Sequence, residues 1–203
     1  MTSAIAWALV VLGMSVVIVR RRSFAVALVT VQALLLAGAA LRDESCAQDV
    51  IAAGALALRG LALAAFLLLL VKRTRETRPV RAGVAPLGRA GAAIVFLLAL
   101  IWLVPDIGLD SQYAERATLS LVGIGLVTAA TRRATLFQVL GIVLVENGLA
   151  LAALTLPGDS SLAIEIGVTF DLLLIALVAG VFHERIFAEF GAGDSARLRS
   201  LRD

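Results

Sequence analysis

Uninterrupted apolar runs, each about 16 to 24 residues long, set the terms on which this chain can fold. About 20 residues of helix cross a hydrocarbon core roughly 30 Å thick, so each run has the length of one membrane crossing. Nothing along the chain alternates with period two, which excludes a β-barrel. Of the 203 residues, 61% are hydrophobic and 16% charged, and the mean hydropathy is +0.99. A soluble domain of this size cannot hide that much apolar surface. The sequence therefore predicts an all-α, polytopic membrane protein.

Seven spans can be drawn, at about 4–19, 23–41, 50–71, 88–105, 115–131, 134–156 and 162–186. The first, within MTSAIAWALVVLGMSVVIV, has no cationic residue ahead of it and reads as a retained helix rather than a cleaved signal. The loops alternate in charge. Basic stretches, Arg20 to Arg22, Lys72 to Arg81 and Arg132 with Arg133, take turns with RDESCAQD, DIGLDSQYAER and PGDSS. Basic loops stay in the cytoplasm, which places the N-terminus outside and the C-terminus inside.

The linker at 72–87, with Pro79, Gly83 and Pro86, divides the chain into a three-helix part (1–71) and a four-helix part (88–190), followed by a cytoplasmic tail (191–203). A faint internal echo supports the division. VVIVRRRSFAVALVTVQALLLAG aligns with VTAATRRATLFQVLGIVLVENGLAL when Arg21 is laid on Arg132, which sets Leu35 against Glu146. Two unrelated arginine-punctuated hairpins would look the same.

The formal charge of +3 does not point to nucleic acid, because the arginines sit in short clusters between apolar runs with no aromatic platform beside them. The lone Cys46 and lone His183 are too few soft ligands for an iron-sulfur cluster or a bis-histidine haem. No metal, cofactor or catalytic residue is expected on this chain, and electron transfer is not its expected role.

The informative residues are the polar ones inside the apolar runs. A charge at the bilayer centre costs on the order of 3 kcal/mol on insertion scales, so such residues face a bundle interior, a partner or water. Arg59, Glu146 and Asp171 fall near mid-span, and Glu165 nearer the outer face. Glu165 and Asp171, six residues apart on one helix, point about 120° away from each other. Glu146 is either a protonated acid that only supports packing or a proton site tuned by burial against a nearby cation. Asn147 and Gly148 suit such a site, as a hydrogen-bond partner and a point of close helix approach. Asp171 is the acid expected to pair with Arg59, either simply neutralising it or gating the relay. Arg59 stays charged and acts electrostatically. Gln32 and Gln138 are candidates to line a water path, though single amides in helix bundles are more often packing bridges.

From Gly123 onward, GIGLVTAATRRATLFQVLGIVLVENGLALAAL followed by AIEIGVTFDLLLIALVAGVF resembles the C-terminal half of the hydrogenase-4 component E family. That segment is in turn similar to the three-helix K subunit of respiratory complex I and to the C subunit of multisubunit cation/proton antiporters. The resemblance covers about 80 residues and implies a non-catalytic membrane subunit of a hydrogenase-4 or formate hydrogenlyase type complex. Its partners would be antiporter-like membrane subunits, a membrane anchor subunit, and peripheral nickel-iron and iron-sulfur subunits. The resemblance makes Glu146 the membrane glutamate that relays protons laterally, and Glu165 more loosely the glutamate of the next helix. Asp171 and Arg59 stand where relatives also carry an acid and a base. Two other functions fit the residues: a structural adaptor of the membrane arm without a proton path, and a stand-alone small transporter. The lack of broken, polar-lined helices counts against the transporter.

Overall fold

In the computed structural model, the described residues are 3–41, 47–73, 85–105, 108–109, 111–132, 134–156 and 179–180. They form six helices: α1 Ser3–Ile18, α2 Arg22–Ala40, α3 Ala47–Arg73, α4 Pro86–Leu103, α5 Gln112–Thr131 and α6 Thr135–Thr155. Four of these, α2, α3 (over Val50–Lys72), α4 and α6, are long and apolar enough to cross a membrane. α1 is apolar but shorter, at 16 residues. Of the expected seventh span, 162–186, only Ala179 and Gly180 are described, helical and set against α3, where Gly180 meets Phe66 and Leu70.

Without water to satisfy peptide groups, helix is the conformation such runs adopt, and the interruptions are local. Pro86 opens α4 at a position that needs no N–H. Arg132 ends α5 by turning extended, and α6 starts three residues later.

α5 is the least apolar of the long helices, yet most of it is buried, with α1, α4 and α6 packed around it. Three of its hydroxyls help make this possible, although that of Thr118 is buried without a hydrogen-bond partner. Ser120, Thr128 and Thr131 each donate to the carbonyl four residues back, at 2.6–2.7 Å, so they bring no unmet polar group into the bundle. α6 is the other central helix, with 67% of its apolar stretch buried against 11% for α4. α4 turns Leu87, Val95, Trp102 and Leu103 outward, an apolar exterior suited to lipid or to other subunits.

α5 and α6 meet at backbone distance. A Cβ on Gly125 would lie 2.5 Å from the Gly141 carbonyl oxygen, and one on Gly141 would lie 2.6 Å from the Ala129 nitrogen. Only glycine permits that approach. The two parts that the linker separates in sequence do not separate in space: α1 packs on α4 and α5, α2 packs on α6, and one core cluster draws on all six helices.

Candidate functional site

The site assembles where four helices cross near mid-length. Arg59 lies about 18 Å along α3, Glu146 about 16 Å along α6 and Gln32 about 15 Å along α2, at 1.5 Å per residue. Arg59, Glu146, Asn147 and Gln32 are all buried. Arg59 Nη1 is 3.5 Å from Glu146 Oε2. Its Nη2 donates to Asn147 Oδ1 at 3.1 Å. Asn147 Nδ2 donates to Gln32 Oε1 at 2.9 Å, and Gln32 Nε2 donates to the Leu9 carbonyl of α1 at 2.8 Å. One continuous polar chain thus runs from α1 through α2 and α6 to α3.

Each link has a local cause. Glu146 and Asn147 are adjacent on α6 and so point about 100° apart. Arg59 has a planar fork long enough to reach both. Gly60 helps by letting α3 close on α2, where its missing Cβ would stand 2.7 Å from the Cβ of Ala33. The two acceptors hold the guanidinium by a charge pair on one side and an amide oxygen on the other. Between α2, α3 and α6, Thr30, Arg59 and Asn147 line a crevice with room for about one water molecule, among Val29, Leu63 and Val143.

Among the described residues, the carboxylate beside Arg59 is that of Glu146; the expected pairing of Arg59 with Asp171 falls on a residue outside them. Asp171, Glu165 and His183 lie outside the described residues. Asn147 is a hydrogen-bond partner at this site, accepting from Arg59 and donating to Gln32. Gln32 is a bridge between helices and a member of the chain at once. Gln138 is neither near it nor part of the crevice: its Nε2 donates to the Arg132 carbonyl at 3.1 Å and closes the α5–α6 turn.

Three buried charges were not singled out by sequence reasoning. Arg132, read there as a loop charge, is 2% exposed, and Glu115, read as part of an outer loop, is buried in the first turn of α5. Arg89 near the start of α4 is fully buried. Arg132 Nη2 donates to the carbonyls of Val16, Val17 and Val19 at the end of α1, and its Cζ stacks 3.9 Å above the Phe137 ring. A basic residue at a helix end has the same sequence signature whether it faces water or folds under the bundle. The nearest clue was Phe137, one and a half turns on, an aromatic face within reach of a guanidinium.

No family model and no solved structure matches the chain. A 90-residue stretch is 34% identical to Rv0085, an uncharacterized protein of Mycobacterium tuberculosis (strain ATCC 25618 / H37Rv). It covers 44% of this chain and 41% of that protein, so the chain spans about two fifths of the length of the relative it matches.

Proposed function

We propose that this chain is a non-catalytic membrane subunit of a complex I-related, hydrogenase-4 or formate hydrogenlyase type assembly, in which Glu146 relays protons laterally. The observation that carries the reading is the mid-bundle pair of Glu146 and Arg59, 3.5 Å apart beside a crevice with room for water. Side-chain exposure is 2% for Arg59 and 11% for Glu146, so both charges are enclosed, the cation more completely. When Glu146 takes a proton and its charge is lost, Arg59 still holds Asn147 Oδ1, so the guanidinium keeps a partner throughout the cycle.

In this reading the chain has seven spans in a bacterial inner membrane, N-terminus outside and C-terminus inside. Glu165 and Asp171 supply further proton sites, and antiporter-like subunits, a membrane anchor subunit and nickel-iron and iron-sulfur subunits carry the rest of the machinery. The test is Glu146→Gln in the assembled complex, with redox-driven proton translocation measured in membrane vesicles. Coupling is expected to fall by about a hundredfold, the low end of what removal of a positioned proton carrier costs. Unchanged coupling rejects the relay.

A structural adaptor without a proton path is the second reading, favoured by the way Gln32 and Asn147 tie α1, α2, α3 and α6 together. Under it, Glu146→Gln is silent in coupling while Asn147→Leu abolishes assembly.

A further inference from the structure

One end of the bundle gathers positive charge that the described residues do not answer. α1 and α5 finish there and α2, α4 and α6 begin there, bringing Arg20, Arg89 and Arg132 together. The charges of Arg89 and Arg20 both act on Arg132, and that of Arg20 acts on Arg89. Arg89 is 0% exposed, and none of its Nε, Nη1 and Nη2 atoms has a hydrogen-bond acceptor. Arg132 spends Nη2 on α1, while Nε and Nη1 have no acceptor. Burial first, then Arg89 and Arg20, pull the Arg132 pKa down to about 10, which still leaves it charged at neutral pH.

The backbone adds to the excess. The N-caps of α2, α4 and α6 are Arg21, Ala85 and Ala134, and no side chain caps any of the three. Three positive helix-dipole ends therefore face the same region as the three guanidiniums. The described carboxylates lie elsewhere: Glu115 belongs to the first turn of α5 at the opposite end, and Glu146 to mid-bundle. A buried guanidinium without acceptors is strongly disfavoured and cannot relieve itself by losing its proton. An oxyanion with several acceptor oxygens answers all these donors at once. Helix ends are also where a spanning bundle meets headgroups, and basic pockets between helices at that depth hold anionic lipid phosphates.

We propose that Arg89 and Arg132, with Arg20 at the rim, form a binding site for a phosphate group, carried by an anionic phospholipid or free in solution. The site is independent of the relay around Glu146 and stands or falls without it. Arg89 is the specific contact, because its whole fork is unspent. Arg132 holds α1 with one nitrogen and offers the other two. Arg20, exposed at the rim, contributes long-range attraction.

The experiment is native mass spectrometry of the full chain in detergent, titrated with dioleoylphosphatidylglycerol or dioleoylphosphatidylcholine, and separately with sodium phosphate while thermal unfolding is followed. The wild type is expected to retain phosphatidylglycerol at least about fivefold better than phosphatidylcholine, the gain one favourable arginine contact supplies. Arg89→Gln abolishes the preference, and Arg20→Gln, an exposed change that leaves the packing alone, reduces it. Stabilisation by sodium phosphate without lipid preference assigns the site to the free anion. Equal retention of both lipids together with no stabilisation by phosphate, measured on the wild type alone, overturns the proposal even if Arg89→Gln fails to fold. It is overturned equally if Arg89→Gln leaves lipid and phosphate binding intact and instead releases a protein that copurifies with the wild type.

Discussion

Arg59 of α3 and Glu146 of α6 place opposite charges 3.5 Å apart in the middle of the bundle, both of them buried. Removing Glu146 takes the charge partner at 3.5 Å from Arg59, whose guanidinium still holds Asn147 Oδ1. Glu146→Leu is expected to destabilise the protein by about 1–3 kcal/mol, the cost of a buried charged group losing one of its partners. The double variant with Arg59→Leu recovers more than half of that loss. Reversible unfolding in mixed micelles, run as a double-mutant cycle, checks it. Additive losses would mean that the two charges are not coupled.

Asn147 and Gln138, two amides on one helix, differ sharply in what depends on them. Asn147→Ala removes an acceptor from Arg59 and a donor from Gln32, both buried, and costs about 1–3 kcal/mol. Gln138→Ala loses one half-buried bond to a turn carbonyl and costs about 1 kcal/mol or less. The order of their unfolding midpoints is the measurement.

The α5–α6 contact has no room for a methyl group at its closest point. Gly141→Ala would set a Cβ 2.6 Å from both the Ala129 nitrogen and the Gly125 carbonyl oxygen. Because those neighbours are backbone, the helices must part, at a cost of about 1–3 kcal/mol or more. Gly38→Ala and Gly91→Ala are the controls. Each sits on a helix with nothing within 4 Å of the new Cβ, and each is expected to be neutral or to stabilise by up to about 1 kcal/mol. Melting temperatures of the three variants decide the matter.

Arg132→Lys keeps the charge but not the shape. A lysine cannot both spread along the carbonyls of Val16, Val17 and Val19 and stack on Phe137. A loss of about 1.5–3 kcal/mol is expected. Amide hydrogen exchange should rise first in the last turn of α1, whose end this side chain holds. Exchange that rises uniformly instead would show that Arg132 acts on the whole bundle and not on that terminus.

The sequence by itself determined the helices. The drawn spans 4–19, 23–41, 88–105 and 134–156 fall within about two residues of α1, α2, α4 and α6, and 50–71 and 115–131 within about three of α3 and α5, while 162–186 lies outside the described residues save for 179–180. That information is local, since a run of apolar residues fixes its own conformation once water is excluded. It also marked Arg59, Glu146, Asn147 and Gln32, because a polar side chain within such a run is conspicuous whatever surrounds it. Partnership was decided only by the tertiary structure. Whether Arg59 meets an acid on α6 or another helix depends on rotation and crossing, which Gly60, Gly125 and Gly141 set through backbone contact. Arg89 and Arg132 carry the same lesson further. At a helix end a charge costs nothing to leave in water, so the sequence has no signal that it is buried; packing against α1 and Phe137 put Arg132 inside.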